Sequence, residues 1–248
     1  MRNTNKEQSD EIHANRQRKI SAMLYIGVTL SFIVPIVFLI LRMFTGNVPQ
    51  NEAGYHSRAD YILMIVACVE GLIVINIPIL LSKKFRFELP RVLYTLYIIY
   101  LFCAIFLGEV RSFFYVIPHW DVILHAFSSL MLGFFGLMVI AILNRDEHLV
   151  RKLSPFFAVL FSFCFAVTIG VLWEIYEFTF DGTLGLNMQK FMTSDGVALS
   201  GHAALADTMK DIIVNALGAL VASVIGYFSI KNDKLWFVPV LRKKDAKR

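Results

Sequence analysis

The sequence predicts an all-α fold, a polytopic membrane bundle of six transmembrane helices with both termini cytoplasmic. Two observations place the helices in lipid. Mean hydropathy is +0.62, and only 17% of the 248 residues are charged while 57% are hydrophobic, which is too apolar a balance for a soluble domain. Six apolar runs are each about 20 residues or longer, enough for a helix rising 1.5 Å per residue to cross about 30 Å of hydrocarbon. A third observation sets the orientation. Of 24 basic residues, nineteen fall in the two tails and in the loops after the second and fourth runs. The other loops hold Arg58, Arg111 and Lys190, and cytoplasmic segments carry the excess of Lys and Arg.

The first span, 20–44, follows a polar tail (1–19) and lacks a small-residue cleavage site, so it reads as a retained span rather than a signal peptide. The second, 61–82, carries Glu70 near its middle. An acid at that depth either serves a function or, neutral and hydrogen-bonded, holds two helices together. The third, 91–110, finishes at the outer face with LGEVRSFF, bringing Glu109 and Arg111 there.

Span four, 121–144, enters from outside as WDVILHAFSS, and Asp121 and His125, four residues apart, share one helical face. Span five, 155–178, ends in VLWEIYEF. Its Glu174 and Glu177 then stand at a helix C-terminus, where the dipole disfavours anions by a few tenths to about 1 kcal/mol, so capping does not account for them. A long outer loop over 179–206 follows, with turn-forming Gly and Asp residues and a short amphipathic piece expected at LNMQKFM. Span six, 207–230, reads DTMKDIIVNALGALVASVIG. Asp207, Asp211 and Asn215 form a polar ladder, continued by Gly218, Ala222 and Gly226, whose small size favours close helix contact inside the bundle.

The three cysteines, Cys68, Cys103 and Cys164, fall inside spans and fit neither a disulfide framework nor a zinc motif. The net charge of +5 reflects the inside-positive bias and the basic tail 231–248, where Trp236 and Phe237 suit an interfacial anchor, so no nucleic-acid partner is expected. The six spans form one domain, 20–230, between the two tails.

Polar residues inside spans cost about 2.5–3.5 kcal/mol each on insertion scales and usually face a bundle interior. Here they converge on the outer third of the membrane. Asp121 and Asp207 also suit helix N-termini, and Glu109 and Arg111 suit an interface. Taken together, however, Glu109, Asp121, Glu174, Glu177, Asp207 and Asp211 face only Arg111 and one histidine. Such an excess of negative charge requires protonated carboxyls or a bound cation. Imidazole with carboxylates suits Zn, Mn, Mg or Fe, and no other cofactor is indicated. The expected metal ligands are Asp121, His125, Glu174 and Asp211, with Glu177 as general base and Asp207 as its catalytic neighbour. Metal-assisted chemistry on a lipid-linked or envelope substrate is the leading expectation. Cation- or proton-coupled transport and a non-catalytic assembly or resistance factor are the alternatives.

DVILH at 121–125, WEIYE at 173–177 and DTMKDIIVNALGA at 207–219 resemble signature segments of the YjdF-like group of bacterial inner-membrane proteins. More distantly they are similar to VanZ-like membrane proteins, from which this chain differs by Glu177 in place of Gln and by having no Lys after Asp121. The resemblance implies a multi-pass protein of the bacterial plasma membrane, in contact with membrane lipids. It also implies a functional core of Asp121, His125, Glu174, Glu177, Asp207, Asp211 and Asn215.

Overall fold

A computed structural model describes residues 2–46, 57–85, 87–144, 153–193, 196–232 and 240–241. The C-terminal tail with Trp236 and Phe237, Arg86, the basic residues of the 145–152 segment and the side chains before Lys19 lie outside what is described. Six helical segments are long and apolar enough to cross a membrane: Lys19–Phe44, Arg58–Phe85, Arg91–Val110, Trp120–Leu143, Pro155–Leu184 and His202–Lys231. Large apolar side chains such as Met23, Phe44, Val92 and Phe178 remain on the outside of the bundle, as expected of surfaces that meet lipid.

Helix α1 (Arg2–Phe44) packs on α2 (Arg58–Val74). Ser57 opens α2 with a capping box: its hydroxyl accepts from the Asp60 N–H while the Asp60 carboxylate accepts from the Ser57 N–H at 2.7 Å. Span two then breaks into α2 and α3 (Ile77–Phe85). Pro78 is the cause. It has no N–H for the carbonyl four residues back, that of Val74, and the Tyr97 hydroxyl donates to that carbonyl at 2.5 Å instead. Asn76 closes the remainder of the break, accepting from Tyr25 at 3.0 Å and donating to the Leu72 carbonyl at 2.8 Å.

Span three starts as α4 (Arg91–Leu101) and continues as a π-helix, Phe102–Val110, whose end is marked by the Arg111 N–H bonding to the Phe106 carbonyl five residues back. Gly108 sits under Phe114, where an added Cβ would lie 2.5 Å from the ring. The short α5 (Phe113–Val116) follows, between left-handed Ser112 and His119. A two-residue antiparallel pairing joins β1 (Phe87–Glu88) to β2 (Val240–Leu241).

The tightest part of the bundle is formed by α6 (Trp120–Asn144), α7 (Pro155–Leu184) and α8 (His202–Lys231), each packing extensively on the other two. Small residues allow it, as the polar ladder of span six suggested. A Cβ on Gly218 would fall on Ser129 and 2.9 Å from the Ala126 carbonyl, one on Gly133 would meet Ala222, and one on Gly136 would lie 3.0 Å from the Ser162 backbone. The Ser162 hydroxyl donates to the Gly133 carbonyl at 2.5 Å across the same seam.

Two helix ends differ from expectation. Helix α7 runs to Leu184 rather than 178, so Glu174 and Glu177 lie within the helix and not at its C-terminus. Thr179 and Thr183 satisfy their hydroxyls on the carbonyls four residues back, both at 2.7 Å, and left-handed Gly185 (φ 64) stops the helix with its N–H on the Asp181 carbonyl. Helix α8 begins at His202, after Gly201, so Asp207 is past the first turn and caps nothing. The connecting loop is therefore 185–201. Its LNMQKFM segment is not helical: Leu186, Asn187 and Met188 are buried, Leu186 and Met188 packing with Leu63 under Tyr176 and Phe180.

Replacing Gly218 with valine is expected to force α6 from α8 and to destabilise the bundle by about 1–3 kcal/mol, the usual penalty of overpacking. Thermal unfolding of the detergent-solubilised protein reads this as a clear drop in midpoint, which Gly27→Val, where an added Cβ has nothing within 4 Å, does not share.

Candidate functional site

The α6–α7–α8 seam that excludes large side chains also brings three polar faces together. From α6, Asp121 and His125 point the same way, one turn apart, with His125 Nε2 3.4 Å from Asp121 Oδ1. From α7, Glu174 reaches the same nitrogen at 3.9 Å. From α8, Asn215 Nδ2 lies 3.3 Å from His125 Nδ1, and Asp211, one turn earlier, adds a third carboxylate. One donor atom each from Asp121, His125 and Asp211 lies within 4.8 Å of the other two. His125, Glu174, Asp211 and Asn215 are all buried, and one oxygen of Glu174 and one of Asp211 have no hydrogen-bond partner. Orphaned carboxylate oxygens inside a membrane bundle are expensive, which makes these two the least satisfied groups of the cluster.

Asp121 is the hinge between this buried group and the surface. Besides facing His125, it lines a cavity of about 160 Å³ with Phe114, His119, Trp120, Val122, Lys190, Asp207 and Lys210. Asp207 stands at the cavity rather than within the buried group, and half-exposed Lys210 lies 3.9 Å from it. Glu177, one turn beyond Glu174, is half-buried and interacts electrostatically with Glu174, Asp121, Lys190 and Glu109, so it links the cluster to span three.

Glu109 reaches this end of the bundle as expected, but its cation is Lys190 and not Arg111. Lys190 Nζ lies 2.6 Å from Glu109 Oε1 and donates to the Asn187 carbonyl at 3.2 Å, with its ammonium 4.6 Å from the centre of the Phe114 ring. Arg111 terminates the π-helix and is exposed. The substitution follows from the loop. Asp181 accepts the N–H groups of Met188 and Gln189 at 2.7 and 3.0 Å, and the Asn187 side-chain amide grips the Met192 backbone, donating to its carbonyl and accepting its N–H, so left-handed Lys190 (φ 54) is aimed inward. Burial works against the lysine's charge, yet Glu109 more than offsets it and holds the ammonium pKa above its ordinary value.

Glu70 is the mid-span acid of span two. It sits half-buried on α2, which packs on α1 and the π-helix, and its electrostatic neighbour is Glu109. Residues outside the expected set also shape the site. Tyr100 on α4 hydrogen-bonds Ser128 and stacks with Phe127 at 6.0 Å. Gln189 bonds Thr208 at 3.0 Å beside Glu174. Gly170 lies under Asn215. Gly170 and Tyr100 carry no motif of their own, whereas the inward lysine is signalled only by the polar loop residues around it.

Six apolar spans with an acidic, histidine-containing cluster at one end define an integral multi-pass membrane protein. The chain belongs to the family described as "Predicted membrane protein (DUF2238)", whose model matches residues 30–232. A Thermotoga maritima protein described as "Uncharacterized protein" is 34% identical over 122 residues, 49% of this chain and 54% of that protein, so the chain spans about half the length of this curated relative. No solved structure matches.

Removing either partner of the Glu109–Lys190 pair is expected to cost about 3–5 kcal/mol, because the survivor is left charged and buried. The double variant Glu109→Gln with Lys190→Met should lose less than either single change in chemical unfolding. The sign of the pH dependence follows from the raised lysine pKa. The pair's stabilisation is complete below the pKa of the unfolded lysine, about 10.4, and is lost as pH climbs through the higher folded value. Alkaline unfolding should accordingly be steeper in the wild type than in the double variant.

Proposed function

We propose that this is a bacterial plasma-membrane protein that holds a divalent cation at its outer face and uses it in chemistry on a lipid-linked or envelope substrate. The observation that carries the reading is the group of half-buried Asp121 with buried His125 and Asp211, and Glu174 beside it, in which two carboxylate oxygens lack a hydrogen-bond partner. Ligands on opposite sides of one ion at about 2.0–2.2 Å stand roughly 4 Å apart, so donors already within 4.8 Å need only a small inward shift. Bound there, the cation would polarise a substrate oxygen or activate a water. Asp121, His125, Asp211 and Glu174 would hold it, offsetting a group of acids whose nearby lysines are Lys190, already paired with Glu109, and half-exposed Lys210. Glu177, one turn along α7 from Glu174, would take the proton.

The neighbouring cavity supports an amphiphilic substrate. Its lining combines Phe114, Trp120 and Val122 with His119, Asp121, Asp207, Lys190 and Lys210, and it lies at the loop end of the helices. The distribution of Lys and Arg supports placing that end outside and both termini in the cytoplasm. The likeness of the three motif segments to YjdF-like and VanZ-like proteins supports the choice of core residues.

The purified wild-type protein is expected to carry near-stoichiometric Zn, Mn, Mg or Fe by elemental analysis, and Glu174→Gln with Asp211→Asn to carry little. A wild type without metal, and without thermal stabilisation by any of these ions, would falsify the reading. Passage of cations or protons is the second reading, favoured by the electrostatic coupling of Glu70 to Glu109. It predicts ion-driven flux in liposomes that Glu70→Gln abolishes.

A further inference from the structure

His125 is the centre of the site, and the orientation of its ring decides which nitrogen meets the carboxylates. The ring sits between two different kinds of partner. Nε2 faces Asp121 and Glu174, which only accept hydrogen bonds when ionised. Nδ1 faces the side-chain amide of Asn215, which can donate through Nδ2 or accept through Oδ1. The amide is itself confined. Gly170 of α7 lies directly against it, and a Cβ at that position would come within 2.7 Å of Nδ2, 3.0 Å of Cγ and 3.2 Å of Cβ of Asn215. Three helices thus fix one imidazole: α6 carries it, α8 supplies the amide, and α7 supplies the bare backbone the amide rests on.

We infer that Asn215, seated on Gly170, is the positioning residue that turns His125 Nε2 toward Asp121, Glu174 and Asp211. The inference rests on the reading of His125 as a metal ligand, and it adds a reason for an amide at residue 215. Without metal, a neutral ring with its proton on Nε2 would donate toward the carboxylates, while Nδ1 would accept from the Asn215 amide. With a cation on Nε2, the neutral ring keeps one proton, now on Nδ1, and that N–H needs an acceptor. A half-turn of the Asn215 amide presents Oδ1 to it. Asparagine serves both states without changing its charge. Aspartate serves only the second, and leucine neither. His125 and Asn215 are both buried, so the partner has to come from the protein.

The experiment uses the full chain in detergent. Mn²⁺ alone is titrated and the free ion followed by electron paramagnetic resonance for the wild type, Asn215→Leu, Asn215→Asp and Gly170→Ala. Separately, metal-free protein with ¹⁵N-labelled histidine is examined by NMR, and His125→Gln identifies the His125 signals. Affinity is expected to fall about 10- to 100-fold in Asn215→Leu and Gly170→Ala, the usual loss when the partner of a metal-bound histidine is removed, and to recover in large part in isosteric Asn215→Asp. At a pH where the ring is neutral, metal-free wild type should show one His125 tautomer with Nε2 protonated and Nδ1 bare, replaced by a mixture in Asn215→Leu and Gly170→Ala. A His125 state unchanged by both substitutions overturns the inference, as does unchanged Mn²⁺ affinity. Should the wild type bind no Mn²⁺ or other divalent ion, the functional reading fails, while the NMR comparison still decides the role of Asn215.

Discussion

Inside hydrocarbon there is no water to complete a hydrogen bond or screen a charge, so each polar atom in the bundle has to find its partner on the protein. That constraint organises the molecule. It puts Asp121, His125, Glu174, Asp211 and Asn215 on facing sides of three helices, since any one of them turned to lipid would cost several kcal/mol. It draws Lys190 out of a loop and onto Glu109 at 2.6 Å. The constraint is not met at one oxygen of Glu174 and one of Asp211, which have no hydrogen-bond partner.

Meeting the constraint depends on backbone distance. Short side chains such as Asp and Asn bridge helices only if the helices are close, and the seam lined by Gly133, Gly136, Gly218, Ala222 and Gly226 brings them close. The small residues continue the polar ladder of α8 away from the site, so one face of one helix supplies both polar groups of the cluster and the close approach that brings them to their neighbours. The α1–α4 half, with its own core around Phe32, Cys68, Ile75 and Ile98, touches this unit through α4 and the π-helix on α6, through Leu63 packed with Leu186 and Met188, and through the Lys190–Glu109 pair.

The six spans were legible because hydropathy over 20 residues is a strong signal, and the DxxxH and DxxxDxxxN faces were legible because four-residue spacing fixes a helical side. Helix ends were harder to read. TFDGTL has the composition of a turn, yet Thr179 and Thr183 bond back to their own helix and Asp181 serves residues seven and eight positions ahead, so α7 continues. The oddity of anions at a helix C-terminus disappears with that extension; what remains is their burial beside a histidine. Arg111 looked like the compensating cation because it is two residues from Glu109, whereas Lys190 is 81 residues away and is aimed by a left-handed backbone that local sequence does not announce. Asn215 was readable as an interior polar group, but its support by Gly170 depends on the register of α7 against α8.

The break in span two shows what it means for partners to be distant in the chain. Pro78 strands the Val74 carbonyl, and the group that rescues it, the Tyr97 hydroxyl, lies on the following span, while Tyr25, which steadies Asn76, lies on the preceding one. The kink is therefore a joint property of three helices. During biogenesis span two reaches the bilayer with a naked carbonyl, and it becomes fully compatible with lipid only once the next span has arrived to cover it.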